Sequence, residues 1–303
     1  LFVVNPAGTR FELANLPQQG QGVYQREWSP DVKRAFYLAE NAENHDGVIG
    51  VIQVNNPHFM PLFGNIRGRA TNPESVVGMR KQWHAAWTGN ETLVLLDGRQ
   101  SKGAMYSINA SSKLWQPLMV KNTLPVLNMK AVPGMSDLLL FETGVLRYDV
   151  GFVGSQRTYL LNWKQNKLFA IPRAIHAGSQ MFDQQYLGQS PAKQLVVSEV
   201  VKAGNQYSLG VITYDPYRAS KQLVLNVALK TGDEFPVSYS FSPDGKHIAV
   251  QLNEGIGCRT VVAQTSNGVV VLDHRIAEQR QLGWKDAQTL LLGAEAVRVQ
   301  VKK

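Results

Sequence analysis

One phrase returns along this chain, and its spacing limits the folds open to it. Tyr239-Ser240-Phe241-Ser242-Pro243-Asp244-Gly245-Lys246-His247-Ile248-Ala249-Val250 reads as a short strand, a tight Pro-Asp-Gly turn and an apolar strand leaving it. Proline at the first turn position presets φ, and glycine accepts the backbone angles of a tight reversal. Glu27-Trp28-Ser29-Pro30-Asp31-Val32-Lys33-Arg34-Ala35-Phe36 is a second copy. Weaker copies pass through Thr88-Gly89-Asn90, Pro133-Gly134, Ser190-Pro191 and Lys285-Asp286. The anchors of the six copies are Trp28, Trp87, Val132, Tyr186, Phe241 and Trp284, at intervals of 43 to 59 residues.

Hairpins recur in phase with these turns. Thr158 to Trp163 leads through Gln165-Asn166 to Leu168 and Ile171, and Leu209 to Tyr214 leads to Gln222 through Leu225. Thr260 to Ala263 is followed by Val269 to Leu272, and Met105 to Ile108 by Leu114-Trp115. These runs are short and rich in β-branched and aromatic residues, with small polar turns between them. Each unit supplies four strands over roughly 40–50 residues, which is the size of one propeller blade. The expected fold is therefore all-β: a six-bladed β-propeller of four-stranded antiparallel blades, with residues 1–303 as one domain. The opening hairpin, Phe2 to Asn5 and Arg10 to Leu13, resembles the outer half of a blade. The closing segment from Trp284 lacks an outermost strand. Pairing of the N- and C-terminal strands would seal the ring and leave no open sheet edge. The tally has one strand too many, so seven blades remain possible. Helical periodicity is nearly absent. Two stretches exceed a minimal blade: residues 56–82, expected as a long loop or lid, and residues 172–183, expected as a shorter excursion.

Composition narrows the function classes. The net charge is +8, but no Lys/Arg run exceeds two residues and no helix, RNA-binding or zinc motif accompanies it. Nucleic acid is accordingly not an expected partner. Hydrophobic residues make up 44% and charged residues 18%, a balance opposed to intrinsic disorder. Cys258 is the single cysteine, which leaves no internal disulfide and no cysteine-based metal site. No apolar run reaches the ~18–20 residues of a membrane span. The chain opens at Leu1 and not at methionine, so a removed leader, or a piece of a larger protein, is an open expectation.

The phrase from Phe241 to Ala249, echoed by Trp28-Ser29-Pro30-Asp31, resembles the repeat of TolB-type propellers, also called the WD40-like or PD40 repeat. Two copies match closely and four in pattern, so the resemblance spans nearly the whole chain as architecture and is specific at two turns. It implies a six-bladed propeller, often periplasmic, that binds other proteins, as TolB does within the Tol–Pal system. The α/β domain that precedes the propeller there has no room in this chain. A related repeat occurs in oligogalacturonate lyases and in the propeller domains of prolyl peptidases, so this resemblance does not decide function.

The chemistry-bearing residues follow the same frame. Aromatic anchors before the turns are expected to wedge between blades, and Asp31, Asn90 and Asp244 to bond the backbone of their own turns. None of the six histidines has a near-sequence metal partner, and no Gly-x-Ser-x-Gly elbow is present. No catalytic residue, metal or cofactor is assigned. A partner-facing surface is expected from Arg67, Arg69, Arg80 and Lys81 in the long loop, with His58, His84, Arg173 and His176. Arg26, Glu27, Lys130 and Gln185, on or beside inner strands, would add a polar funnel. The function expected is a non-enzymatic protein- or peptide-binding scaffold, periplasmic or otherwise extracytoplasmic, with the cytoplasm also open. The alternative is a lyase or hydrolase acting on an anionic polysaccharide through a His/Arg-lined mouth. That alternative requires at least three of Glu27, His58, His84, Lys130 and His176 around one cavity.

Overall fold

The computed structural model describes residues 2–4, 10–12, 21–41, 47–53, 56–66, 83–97, 104–118, 126–143, 157–175, 180–232 and 234–299. These residues form strands and turns without a helix, so none of them forms a helix long and apolar enough to cross a membrane. After a short pair, β1 (Phe2–Val4) with β2 (Arg10–Glu12), six sheets follow in chain order. Sheet one holds β3 (Gln21–Trp28), β4 (Arg34–Asn41), β5 (Gly47–Gln53) and β6 (Asn56–Ile66). Sheet two holds β7 (Trp83–Trp87), β8 (Thr92–Asp97), β9 (Ala104–Asn109) and β10 (Trp115–Leu118). Sheet three holds β11 (Val126–Val132), β12 (Met135–Thr143), β13 (Arg157–Asn162) and β14 (Lys167–Ala170). Sheet four holds β15 (Gln180–Gln189), β16 (Leu195–Ala203), β17 (Gln206–Asp215) and β18 (Ser220–Leu229). Sheet five holds β19 (Phe235–Phe241), β20 (His247–Asn253), β21 (Cys258–Gln264) and β22 (Val270–Ile276). Sheet six holds β23 (Leu282–Asp286), β24 (Thr289–Leu292) and β25 (Glu295–Arg298).

The chain divides into two compact units, Leu1–Gly151 with Tyr159–Phe169, and Phe152–Thr158 with Ala170–Lys303. In the second, the period of two along β20 decides what each sheet touches. Ile248, Val250 and Leu252 join a cluster with Val196, Leu209, Val211 and Leu225 of sheet four. Ala249, from the opposite face, joins Val262, Leu290 and Leu292 toward sheet six. A strand covered on both faces is buried almost throughout, and β16 and β20 are so, with Ser198, Glu199, His247 and Gln251 buried among their apolar residues. The first unit repeats the scheme. Phe36 and Val51 pack with Trp87, Leu93 and Leu95, while Ala86, Val94 and Leu96 pack with Met129, Leu139 and Phe141. First strands of consecutive sheets approach each other: β3 with β7, β7 with β11, and β19 with β23.

Three expectations meet the structure differently. Residues 56–66 are strand β6 and not loop; residues 67–82 lie outside the described residues. The prolines that signal a loop there, Pro57 and Pro61, stand on the last strand of the sheet, where a missing N–H interrupts no further ladder. Residues 180–183 likewise belong to β15, which leaves 172–175 as the remaining described part of the shorter excursion. At the termini, β1 pairs with β2, and sheet six has three strands, so a pairing that seals the two ends is not among the described pairings.

Candidate functional site

The repeated turn is a small hydrogen-bonded device. In Ser29-Pro30-Asp31, the Ser29 hydroxyl donates to Asp31 Oδ1 at 2.7 Å and accepts from the Arg34 amide at 3.0 Å. In Ser242-Pro243-Asp244, Ser242 does the same with Asp244 at 2.7 Å and the His247 amide at 2.9 Å. The fourth residue of each turn is left-handed: Val32 at φ 59° and Gly245 at φ 69°. Asp31 and Asp244 thus bond their own turns, as expected of aspartate there, and each also accepts from a backbone amide two residues on.

In the first unit, this turn and the turns at the same point of the next two sheets surround one cavity of about 690 Å³. Its walls come from equivalent points of three consecutive sheets. Glu27, Trp28 and Pro30 close β3, Trp87 to Asn90 close β7, and Ala131 to Gly134 with Ser136 join β11 to β12. That volume lies within the range of small-ligand and peptide side-chain sites. Gly134 turns the chain at φ 73°, which a side chain rarely adopts. The rim is braced from sheet one: Arg34 donates to the Asn90 carbonyl at 3.1 Å and pairs with Glu91 at 3.1 Å.

Trp28 and Trp87 occupy equivalent places and both line the cavity, but they are buried to different depths. Trp87 is 1% exposed, packs 6.2 Å from Phe36 and donates its indole N–H to the Glu27 carbonyl at 3.0 Å. It is the interblade wedge expected from the sequence. Trp28 is half-buried and lines the cavity, a role that the wedge reading misses. The signal was present in the third copy. Val132 stands where other turns carry an aromatic, and it lines the cavity. Glu27 is exposed at the cavity surface, yet desolvation by the surrounding protein raises its pKa to about 7. No described residue bonds to its carboxylate.

The other residues singled out from the sequence are not gathered here. His84 is 7% exposed on β7 and does not line the cavity. Lys130 is exposed on β11, one residue before Ala131. His58 lies on β6; its side chain, with Arg67, Arg69, Arg80, Lys81 and His176, falls outside the described residues. Arg173 belongs to the second unit, where its Nε donates to Glu199 Oε1 at 2.8 Å. Glu199 is 1% exposed and also accepts from the Ala174 amide, while Lys221 donates to the Arg173 carbonyl at 2.6 Å. These bonds pin residues 171–175 over Gly210, where a Cβ would meet Ile175 and Ala174 below 3 Å. Among the described residues, no three of His, Cys, Asp and Glu cluster as metal ligands.

Successive antiparallel sheets, packed face to face within each unit and led by approaching first strands, define an all-β protein of the β-propeller class. No protein-family model matches the sequence, nor does any curated protein. Among solved structures, the chain is similar to an oligogalacturonate lyase in complex with manganese, at 10% identity and TM-score 0.53 over 97% of this chain and 80% of that one. It is similar to the Dos1 propeller at 10% identity and TM-score 0.51, over 95% of this chain and 67% of that one. TolB from Acinetobacter baumannii is also found, at 12% identity and TM-score 0.41 over 86% of this chain; the chain spans 57% of that TolB. At such identities, likeness speaks for the fold and not for an activity.

Proposed function

We propose that this protein is a binding module that takes a segment of a partner protein into the cavity formed by the turns of sheets one to three. The observation that carries this reading is the convergence of three equivalent turns on one largely apolar cavity, with the half-buried Trp28 in its wall. A tryptophan open to solvent on one side offers a large rigid contact area at little entropic cost, which is why aromatics dominate binding sites. The enzyme alternative is less well supported. Of the five residues from which it requires at least three around one cavity, Glu27 lines this one and the described His84 and Lys130 do not, and a carboxylate there repels an anionic sugar. An extracytoplasmic setting is part of the proposal and rests on the TolB-type turns. The basic residues Arg67, Arg69, Arg80 and Lys81 are proposed as a second contact of the same partner.

A displayed library of random peptides panned against the protein tests this reading. An enriched motif is expected, with binding lost in Trp28→Ala and in Gly89→Trp. Gly89 is suited to the second change, because a Cβ there meets nothing within 4 Å and its backbone is not left-handed. No enrichment, or a motif indifferent to both substitutions, would overturn the assignment of the cavity. Arg67→Ala with Arg69→Ala should weaken capture of a full-length partner while leaving the motif unchanged.

A further inference from the structure

We propose that the segment received by this cavity inserts a basic side chain, lysine or arginine, whose charge is met by Glu27 beside Trp28. The inference rests on the binding reading above and specifies its ligand.

The carboxylates around these turns differ in what holds them. Asp31 is engaged by the Ser29 hydroxyl and the Lys33 amide. Glu91 accepts from Arg34 and from the Ser111 hydroxyl. Asp137 accepts from Asn162. Glu27 alone among them has no described hydrogen bond or ion pair, and it is the only titratable side chain among the described residues of the cavity wall. The charged neighbours whose side chains are described are engaged elsewhere, exposed or outside the lining. Arg34, after the turn from β3, is bound to Asn90, Glu91 and Ser111. Lys33 and Lys130 are exposed, and His84 on β7 is buried outside the lining. Among the described residues, the cavity therefore presents one uncompensated negative charge in an apolar setting of Trp28, Pro30, Val132 and Pro133.

That combination selects a particular chemistry. The methylene stem of lysine or arginine covers apolar wall while its head stays charged. An indole face attracts a cation, the more strongly the more the pair is desolvated. A carboxylate that has lost part of its hydration gains most from a cationic ligand, since a neutral amide or hydroxyl cannot replace that solvation. The pKa near 7 follows from the same desolvation, so bound cation and proton compete for Glu27.

The panned library decides the matter when the selection is run in parallel on wild type and Glu27→Gln. Lysine or arginine is expected at one fixed position of the wild-type motif, and that preference should vanish for Glu27→Gln while the flanking motif persists. Binding of a selected peptide should fall at least tenfold on Glu27→Gln. It should also fall about tenfold between pH 8 and pH 6, as a group of pKa near 7 passes from mostly ionised to mostly protonated. Replacing the peptide's basic residue with norleucine makes the same comparison without altering the protein, which guards against a variant that fails to fold. A motif without a basic position, or a basic position retained by Glu27→Gln, would overturn the inference and leave the cavity as a binding site. Absence of any motif would overturn both.

Discussion

At the scale of single residues, the two Ser-Pro-Asp turns form a natural comparison. They share their hydrogen bonds, but the left-handed position is glycine in one and valine in the other. A β-branched residue at φ 59° places Cβ against the following carbonyl, at a cost of about 1–2 kcal/mol. Val32 is 36% exposed, so little packing offsets that cost. Val32→Gly is therefore expected to stabilise the protein by about 1 kcal/mol in urea unfolding, the gain being reduced by glycine's greater freedom in the unfolded chain. The turn was legible in the sequence because Pro, Asp and Gly act locally. The place of Trp28 in a cavity wall was not, because the other walls come from Trp87 to Asn90 and from Ala131 to Gly134, far along the chain.

Between elements, the seam of sheets four and five shows how polar groups join strands that the sequence cannot pair. Arg259 on β21 forks onto Asp273 on β22 at 2.9 and 2.6 Å and sends a third bond to the Ala228 carbonyl on β18 at 2.9 Å. The guanidinium side chain is 11% exposed, and its hydrogen bonds hold the Asp273 carboxyl below its ordinary pKa. Lysine cannot reproduce a three-way planar donor set. Arg259→Lys is expected to cost about 1–2 kcal/mol of stability, read by urea unfolding, with faster amide exchange along β18 and β22. A substitution without effect would reduce this fork to decoration of a seam held by Val196, Leu225 and Val250 alone. Strand identity was legible here from β-branched runs and turns. At β6 the same rules misled, since Pro57 and Pro61 mark a loop only when the strand has another neighbour to satisfy.

For the molecule as a whole, the reading of residues 1–303 as one domain has a direct consequence. The division between the two compact units falls inside β13 and β14 and not in a linker. A boundary that cuts hydrogen-bonded strands gives neither part a complete set of sheets to unfold by itself. Scanning calorimetry is expected to give a single transition with matching calorimetric and van't Hoff enthalpies. Two resolved transitions would make the units separate domains. The number of sheets was legible because each carries its own turn phrase. The cavity was not, because a site assembled from three turns exists only once their sheets are placed side by side.

The aromatic ties between sheets share a direction. Trp87 donates back to Glu27, Tyr239 back to Gln189, and Trp284 back to Ser240, each to a carbonyl made earlier on the ribosome. Chains emerge N-terminus first, at roughly 5–20 residues per second. With ties of this polarity, each of these three sheets brings the clasp and finds its eyelet already waiting, so at those junctions growth of the nascent chain and assembly of the fold run the same way.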